Sequence, residues 1–151
     1  MIAVVGGGAA GLMAAVSAAE SGAKTVLIEK NKILGKKLRI TGKGRCNITN
    51  ACPTQELFEN IPKNPKFLYS AIYNFTNYDV IDFFEKLGVK TKVERGMRVF
   101  PESDKAADVV RALENAVKKS GVSVITANAE GIITKNNSLA GIKTDKGIIK
   151  C

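Results

Sequence analysis

The first eleven residues constrain the fold more than any other part of the chain. An apolar segment, Ile2–Val5, runs directly into three glycines spaced as Gly6-x-Gly8-x-x-Gly11, and an alanine-rich segment follows. Glycine at the first position permits a tight turn out of a strand, and at the second it lets the backbone approach a pyrophosphate. At the third position it lets a helix pack close to a sheet. The spacing predicts the strand, turn and helix of a dinucleotide-binding βαβ unit.

A carboxylate closes the next apolar run. Thr25–Ile28 has the β-branched, apolar character of a buried parallel strand, and Glu29 follows it at about the usual 20-residue distance from the glycines. An acid at this place can accept hydrogen bonds from ribose hydroxyls, while the preceding helix offers its N-terminal N–H groups and positive dipole end to phosphates. The fingerprint therefore predicts a bound dinucleotide. A carboxylate serves FAD and NAD alike, and Lys30 leaves a 2′-phosphate open although no arginine follows Glu29.

Hydrophobic periodicity and Gly or Pro breakers divide the rest of the chain into short helices and strands, which predicts an α/β fold. The segment 31–53 has no regular period and is predicted as an extended loop with a short helical turn, and loops of this length are usually functional or disordered. A helical turn is predicted at Thr54–Glu59. Helices are predicted from about Ala10 to Ser21 with Gly22 as C-cap, from Pro65 to Asn74, from a cap at Asn77 to Gly88, and from a cap at Ser103 or Asp104 to Gly121.

The strands follow the same patterns. They are predicted at Ile2–Val5, Thr25–Ile28, Val89–Val93, Met97–Phe100 and Val122–Thr126, the last as another buried strand, with a three-stranded β-meander at Ala129–Thr134, Leu139–Lys143 and Ile148–Lys150. The aromatic residues Phe75, Tyr78, Phe83 and Phe84 lie at helical spacing and are interpreted as core.

Composition excludes several classes of site. The chain has 151 residues, enough for about one domain, no histidine, and three cysteines, Cys46, Cys52 and Cys151, without a C-x-x-C pair. A Ser-His-Asp triad, a Cys-His dyad and a histidine zinc motif are thereby excluded for these residues, and no metal site is predicted. No apolar run approaches the roughly 20 residues of a membrane span, and Ile2–Val5 is too short for a signal peptide. We therefore expect a cytoplasmic location and no membrane partner.

The charge is strongly basic, with a formal net value of +9. A run without acids contains Lys30, Lys32, Lys36, Lys37, Arg39, Lys43 and Arg45. Three interpretations remain open: a solvated loop, a nucleic-acid contact, or cations that face the pyrophosphate of the dinucleotide. Because the run directly follows the glycine fingerprint, we assign Lys30 and Lys37 to the cofactor and keep nucleic acid as the alternative.

Two further motifs carry a family resemblance. The segments Gly42-Lys-Gly-Arg-Cys-Asn-Ile-Thr-Asn50 and Glu94-Arg-Gly-Met-Arg-Val-Phe-Pro101 resemble a bacterial family of FAD-dependent flavoproteins. That family has a Gly-Arg-Cys-Asn-x-Thr-Asn signature and is often labelled NAD(FAD)-utilising dehydrogenase. It includes enzymes similar to aminoacetone oxidase and to the bile-acid reductase of gut clostridia. The resemblance implies an FAD-binding, glutathione-reductase-like Rossmann sheet, here partial, with an attached β-meander.

The resemblance also implies roles for individual residues. The FAD pyrophosphate is expected at Gly6, Gly8, Ala9, Ala10 and Gly11, the adenosine ribose at Glu29, and the adenine at backbone around Asn128 and Ala129. The segment Thr41–Asn47 is expected to run along the cofactor towards the flavin, with Gly42 and Gly44 permitting close approach and Arg45 contacting phosphate or the flavin edge. Cys46 and Asn47 would lie beside the cofactor. Lys43 and Arg45 could lower the pKa of the Cys46 thiol, although a small packed residue is the commoner role of a lone cysteine.

The resemblance implies that the chain is the N-terminal part, residues 1–151, of the FAD/NAD(P)-binding domain of a longer flavin-dependent oxidoreductase. Within it, residues 1–30 form the βαβ unit, 31–53 the cofactor loop, and 122–151 a strand and the meander. The return strand, the substrate domain and the C-terminal flavin segment are expected to be absent. The expected partners are a small-molecule substrate, NAD(P)H, and the rest of the enzyme or a second copy.

No catalytic residue is identified. Two alternatives remain: an NAD(P)-binding module of another dehydrogenase, and a basic nucleic-acid-binding domain that uses the Lys30–Arg45 loop.

Overall fold

A computed structural model describes all residues of the chain, Met1–Cys151. The chain divides into two compact units: Met1–Leu38 together with Leu113–Cys151, and Arg39–Ala112. The α-helices and β-strands in chain order are β1 Ile2–Val5, α1 Ala9–Glu20, β2 Thr25–Glu29, β3 Thr49–Asn50, α2 Thr54–Glu59, α3 Tyr69–Asn74, α4 Asn77–Lys86, β4 Thr91–Glu94, β5 Arg98–Pro101, α5 Ala106–Lys119, β6 Ser123–Thr126, β7 Ala129–Lys135, β8 Ser138–Thr144 and β9 Gly147–Lys150. A 3₁₀ segment at Leu38–Gly44, interrupted by non-helical backbone from Thr41 to Lys43, confirms the helical turn predicted within residues 31–53.

The first unit contains a parallel three-stranded sheet in the order β1-β2-β6. The central strand, β2, is buried from Thr25 to Ile28 because it has a neighbour on both sides. The prediction of a buried strand at Val122–Thr126 is wrong in part: Val122 is buried, but Ser123, Val124 and Thr126 are exposed. In the described sheet β6 pairs with β2 only, so it forms an edge.

Helix α1 packs beside this sheet through Leu12, Ala15 and Val16. It ends in a Schellman motif, in which the Gly22 N–H donates to Ala19 O and the Ala23 N–H to Ala18 O. Gly22 has a φ of +84°, which glycine adopts without a steric penalty. The glycine thus ends the helix as predicted, although the cap itself is Ser21.

The β-meander is confirmed as an antiparallel sheet in the order β7-β8-β9. Asn136 and Asn137 both have positive φ, as a two-residue type I′ hairpin turn requires. Ile142 of β8 packs with Val26, Ile28 and Ala127 into a buried cluster. The first unit is therefore a Rossmann-type sheet with an attached meander.

The second unit contains a small antiparallel sheet in the order β3-β5-β4 with three helices, α2 to α4. Strand β3 has two residues and was missed because so short a strand has no periodicity to detect. The predicted hairpin β4–β5 is confirmed around Arg95-Gly96. The segment predicted as one helix from Pro65 to Asn74 is a 3₁₀ turn at Pro65–Leu68 followed by α3.

Two predicted helix caps are wrong. Helix α4 is capped by Thr76, which forms a capping box with Asp79, whereas the side chain of Asn77 is buried within the unit. Asp104 has a φ of +55° and directs its carboxylate to cations, and the Ser103 hydroxyl accepts from Lys105 N–H, outside α5.

The aromatic core is also smaller than predicted. Phe84 is buried and Phe83 half-buried, while Phe75 and Tyr78 are exposed. No helix of the structure has the length and apolarity needed to cross a membrane.

Candidate functional site

The glycine turn joins β1 to α1 with the geometry that its spacing predicts. Gly6 has a φ of +102°, and its N–H donates to Ile28 O at 2.8 Å. A Cβ on Gly11 would lie 1.8 Å from Gly6 O, so no other residue fits there without moving the backbone. Gly11 thus lets the first turn of α1 lie directly against the strand end.

Gly7 is a site residue that the sequence reasoning missed. Its N–H donates to Glu29 Oε2 at 2.6 Å, and its carbonyl accepts from Gly35 N–H at 2.7 Å. A Cβ on Gly7 would lie 2.5 Å from Leu34 Cδ2, so the loop after β2 covers this glycine. The fingerprint leaves this position unspecified, and the available signal was the run of three consecutive glycines.

The N-terminus of α1 is open. Its N-cap is Gly8, which has no side chain to accept from the first-turn N–H groups, and a Cβ there would meet nothing within 4 Å. Ala9 and Ala10 are exposed. Amide donors at the positive end of a helix bind anions, and a pyrophosphate fits this donor set and the space beside Gly8.

Glu29 lies at the end of β2, beside this turn. Its Oε2 accepts from Gly7, and its Oε1 accepts from Asn31 N–H at 2.8 Å and from Asn31 Nδ2 at 2.5 Å. Partial burial raises the pKa of the Glu29 carboxyl, but the Asn31 and Gly7 hydrogen bonds, helped by Lys30, outweigh it and hold the pKa below its ordinary value. Glu29 is therefore ionised at neutral pH and available as an acceptor. Asn31 was missed because nothing in the sequence pairs it with Glu29.

The segment Thr41–Asn47 belongs to the second unit and has an unusual backbone. Positive φ values occur at Gly42, Lys43, Gly44 and Cys46, and two of these residues carry a Cβ. The Cys46 N–H donates to Thr41 O at 3.0 Å, which closes the loop. Left-handed non-glycine residues cost of order 1–3 kcal/mol each and cluster at functional sites.

Arg45 is held by acidic residues within its own unit. Its guanidinium pairs with Glu94 and, at 2.6 Å, with Asp104, and it lies 4.2 Å from the centroid of the Phe100 ring. Lys92 pairs with Asp104 at 2.6 Å, which makes a four-charge cluster. Hydrogen bonds to Glu94 and Asp104 raise the pKa of Arg45. These partners account for the guanidinium position, and its predicted contact with phosphate or flavin stays a prediction.

Cys46 is a small packed residue, the role that is commoner for a lone cysteine, and the alternative of a thiol pKa lowered by Lys43 and Arg45 is wrong. The residue is 2% exposed, and burial raises the pKa of its thiol, which outweighs a hydrogen bond with Thr41. The guanidinium of Arg45 pairs with carboxylates, so the thiol keeps the character of a small packed residue. Asn47 lies against the carbonyls of Val99 and Thr49, to which its amide nitrogen donates when oriented towards them.

Some backbone groups at the start of the meander already form hydrogen bonds within the protein. The Asn128 N–H donates to Asp145 Oδ1 at 2.8 Å, and the Asp145 N–H donates to Asn128 O at 3.1 Å. Ala129 pairs with Thr144 in the meander and is half-buried. Adenine contact at Ala129 stays a prediction.

The structure thus brings together one compact set of predicted residues in the first unit: Gly6, Gly8, Ala9, Ala10, Gly11 and Glu29. Lys30 is exposed next to Glu29, and Lys37 is exposed in the loop after β2. The residues Thr41, Gly42, Gly44, Arg45, Cys46 and Asn47 form their own loop in the second unit. No group of three or more His, Cys, Asp or Glu residues is arranged to hold a metal ion.

The family comparison covers the whole chain. The model of the HI0933-like protein Rossmann domain matches residues 1–151. The chain is 35% identical over 127 residues to the 3-dehydro-bile acid delta(4,6)-reductase of Clostridium scindens. The matched residues cover 83% of this chain and 30% of that enzyme. It is 32% identical over 120 residues to the ribosomal RNA dihydrouridine synthase of Escherichia coli, and the matched residues cover 80% of this chain and 29% of that enzyme. The chain therefore spans about a third of the length of these relatives.

The fold comparison agrees. The open form of a flavocytochrome c3 fumarate reductase superposes with a TM-score of 0.63 at 20% identity, covering 97% of this chain and 30% of that one. The predicted Rossmann-type fold and the predicted likeness to a bile-acid reductase are confirmed.

Proposed function

The chain belongs to the HI0933-like Rossmann-domain family, and from that membership we propose that it forms the nucleotide-binding part of an FAD-dependent oxidoreductase. One relative is a reductase, and the same fold is found in a flavocytochrome c3 fumarate reductase. The observation that carries the proposal is the glycine turn: an ionised Glu29 holds Gly7 beside the uncapped N-terminus of α1.

The residues of the first unit fit the adenosine and pyrophosphate half of FAD. The amides at Ala9, Ala10 and Gly11 would bind the pyrophosphate, Gly8 leaves room for it, and Glu29 would accept a ribose hydroxyl. Bound flavin would supply the electron-transfer chemistry, and the protein would bind and orient it. Lys30, Lys37 and the Thr41–Asn47 loop complete the proposed cofactor contacts.

The finer parts of the proposal concern the whole enzyme. A small-molecule substrate is supported by the Clostridium scindens relative, which is named for the reduction of a 3-dehydro-bile acid. NAD(P)H as electron donor, the remaining enzyme or a second copy as partner, and a cytoplasmic location belong to the same proposal. The free cysteines Cys46, Cys52 and Cys151 support a reducing compartment.

The test is flavin binding by the purified chain. We expect a flavin absorbance spectrum, and an FAD concentration one hundred times the Kd should stabilise the fold by about 2.7 kcal/mol, a rise in Tm of roughly 5–10 °C. Colourless protein whose Tm does not respond to FAD would contradict the proposal.

Comparing two glycine-to-alanine variants, one in the turn and one outside it, tests whether the FAD response depends on the glycine turn. Gly8→Ala should keep the fold, since its Cβ meets nothing within 4 Å, but it should remove the FAD response by filling the space for the pyrophosphate. Gly131→Ala in β7, also without a contact within 4 Å, should keep both fold and response. Equal loss in both variants would show that the effect is not local to the turn.

RNA is a second candidate partner for the whole enzyme. Its support is the Escherichia coli relative, which is named for an activity on ribosomal RNA, together with the exposed basic side chains of the Lys30–Arg45 run. RNA binding and flavin binding are compatible in one enzyme, so this candidate concerns the substrate and leaves the cofactor unchanged.

A further inference from the structure

Asn31 makes two hydrogen bonds to one oxygen of Glu29. Its backbone N–H donates to Oε1 at 2.8 Å and its side-chain Nδ2 donates to the same atom at 2.5 Å. Asn31 lies two residues after β2 and is half-buried. A neutral amide that bonds a carboxylate in this way favours the ionised form and restricts rotation of the carboxyl group.

Counting acceptor sites shows what the carboxylate has left. An ionised carboxylate has about four lone-pair sites, two on each oxygen. Oε1 accepts one hydrogen bond from the Asn31 backbone N–H and one from Asn31 Nδ2, and Oε2 accepts from the Gly7 N–H at 2.6 Å. The remaining site is on Oε2, the oxygen that faces the glycine turn.

We infer that Asn31 is a positioning residue, which fixes the Glu29 carboxylate through Oε1 and so presents Oε2 to both Gly7 and one ribose hydroxyl of the nucleotide. This inference rests on the proposed function, because the ribose belongs to the cofactor proposed above. This role requires no contact between Asn31 and the nucleotide. It acts by holding the acceptor in the orientation that the ribose requires.

The electrostatic surroundings of Glu29 are simple. All hydrogen bonds to its carboxylate come from the neutral amides of Asn31 and Gly7. The charged group that lowers its pKa is Lys30, one residue away. A change at Asn31 is therefore expected to appear directly in the titration of Glu29. Lys30 remains in every variant, so its contribution is constant.

The experiment measures ADP binding to the chain as a function of pH, for the wild type and for Asn31→Ala, Asn31→Ser and Asn31→Asp. Asn31→Ala should weaken ADP binding about tenfold at neutral pH through loss of a charge-assisted hydrogen bond. The acid limit of binding should move to higher pH because the Glu29 pKa rises. Asn31→Asp should weaken ADP binding further and move its acid limit to still higher pH, since it places a second negative charge beside Glu29. Asn31→Ser should keep much of the affinity that Asn31→Ala loses, because its hydroxyl supplies a short donor.

Lys24→Ala is the matched control, because it removes an exposed side chain directly before β2 and outside the Lys30–Arg45 run. It should leave both the affinity and the pH profile unchanged. A purely structural role for Asn31 predicts a lower Tm with an unchanged pH profile of ADP binding, and that result would overturn the inference.

NMR titration of the Glu29 carboxyl, in the chain without nucleotide, separates this inference from the proposed function. If wild-type chain fails to bind ADP, the proposed function fails, whatever Asn31 does. If ADP binds but Asn31→Ala leaves the Glu29 pKa and the ADP affinity unchanged, the inference fails and the proposed function stands.

Discussion

Arg45 and Glu29 show how a side chain acquires its role from residues far along the chain. The guanidinium of Arg45 pairs with Glu94 and Asp104, which are 49 and 59 positions away. The carboxylate of Glu29 meets Gly7, which is 22 positions away. In both cases the residue type alone indicated a charged side chain that would interact with a ligand or with an oppositely charged group. The partner, and therefore the electrostatic character, came from the folded structure.

Arg45→Gln should destabilise the chain at neutral pH and not at acid pH. A hydrogen bond from Arg45 holds the pKa of Glu94 below its ordinary value, and hydrogen bonds from Lys92 and then Arg45 do the same for Asp104. A carboxyl whose pKa is lowered by folding stabilises the folded state above its unfolded pKa, about 4, and this contribution disappears as the pH falls through the folded pKa.

The measurement is Tm against pH, from pH 7 down to about 2. The Tm difference between wild type and Arg45→Gln should shrink steadily below pH 4 and should also shrink with added salt, because the cluster is partly exposed. Arg95→Gln makes the same charge change at an exposed arginine of the hairpin turn and should show no such pH dependence. A Tm difference that is constant with pH would contradict the ion-pair explanation.

At the scale of the elements, two neighbouring residues at the start of helix α4 have different roles: one caps the helix, and the other connects it to other elements. Thr76 caps the helix and exchanges hydrogen bonds with Asp79. The neighbouring Asn77 is 3% exposed, and its amide accepts from Thr54 Oγ1 and donates to the carbonyls of Asn50 and Cys52. Its three hydrogen bonds connect α4 to β3 and to the start of α2.

Asn77→Ala should therefore destabilise the chain more than Thr76→Ala. Removing the Thr76 cap should cost about 1 kcal/mol. Removing Asn77 leaves the half-buried Thr54 hydroxyl without its acceptor and the carbonyls of Asn50 and Cys52 without their donor, and should cost about 2–4 kcal/mol. Urea unfolding of both variants measures the difference, and a smaller loss of stability for Asn77→Ala than for Thr76→Ala would contradict the stabilising role of the three Asn77 hydrogen bonds.

The elements that the sequence predicted well are those coded by neighbouring residues. The βαβ unit, the hairpin at Arg95-Gly96 and the meander follow from glycines, asparagines and short-range periodicity, which act over a few residues. The errors lie where tertiary packing decides. Examples are the exposure of β6, which depends on the number of its neighbours, and the exposure of Phe75, which follows the end of α3 in extended backbone, and of Tyr78 in α4.

At the scale of the whole molecule, a formal charge of +9 predicts attraction to polyanions. Lys36 and Lys37 are exposed in the basic run, so the double variant Lys36→Glu, Lys37→Glu should weaken retention of ribosomal RNA by the chain if the run contacts RNA. Filter binding at several salt concentrations measures both the affinity and its salt slope.

The matched control is Lys118→Glu with Lys119→Glu at the exposed end of α5, which changes the net charge by the same amount. Equal weakening by both pairs would show that only net charge matters and would remove the argument for a specific RNA contact. The FAD response of the chain should be kept in the control pair.

By itself the sequence determined that a strand, a glycine turn and a helix begin this chain, that an acid ends the second strand, and which family the motifs resemble. These properties depend on backbone freedom at a few glycines and on local periodicity, and both can be read from neighbouring residues. Only the tertiary structure decided that Gly7 and Asn31 complete the Glu29 site, that burial raises the pKa of Cys46, and that Arg45 has carboxylate partners. The Gly7–Glu29 hydrogen bond, the burial of Cys46 and the Arg45 ion pairs depend on distances between residues remote in sequence, and folding alone sets those distances. The Asn31–Glu29 hydrogen bonds join residues two positions apart and depend on the path of the backbone after β2.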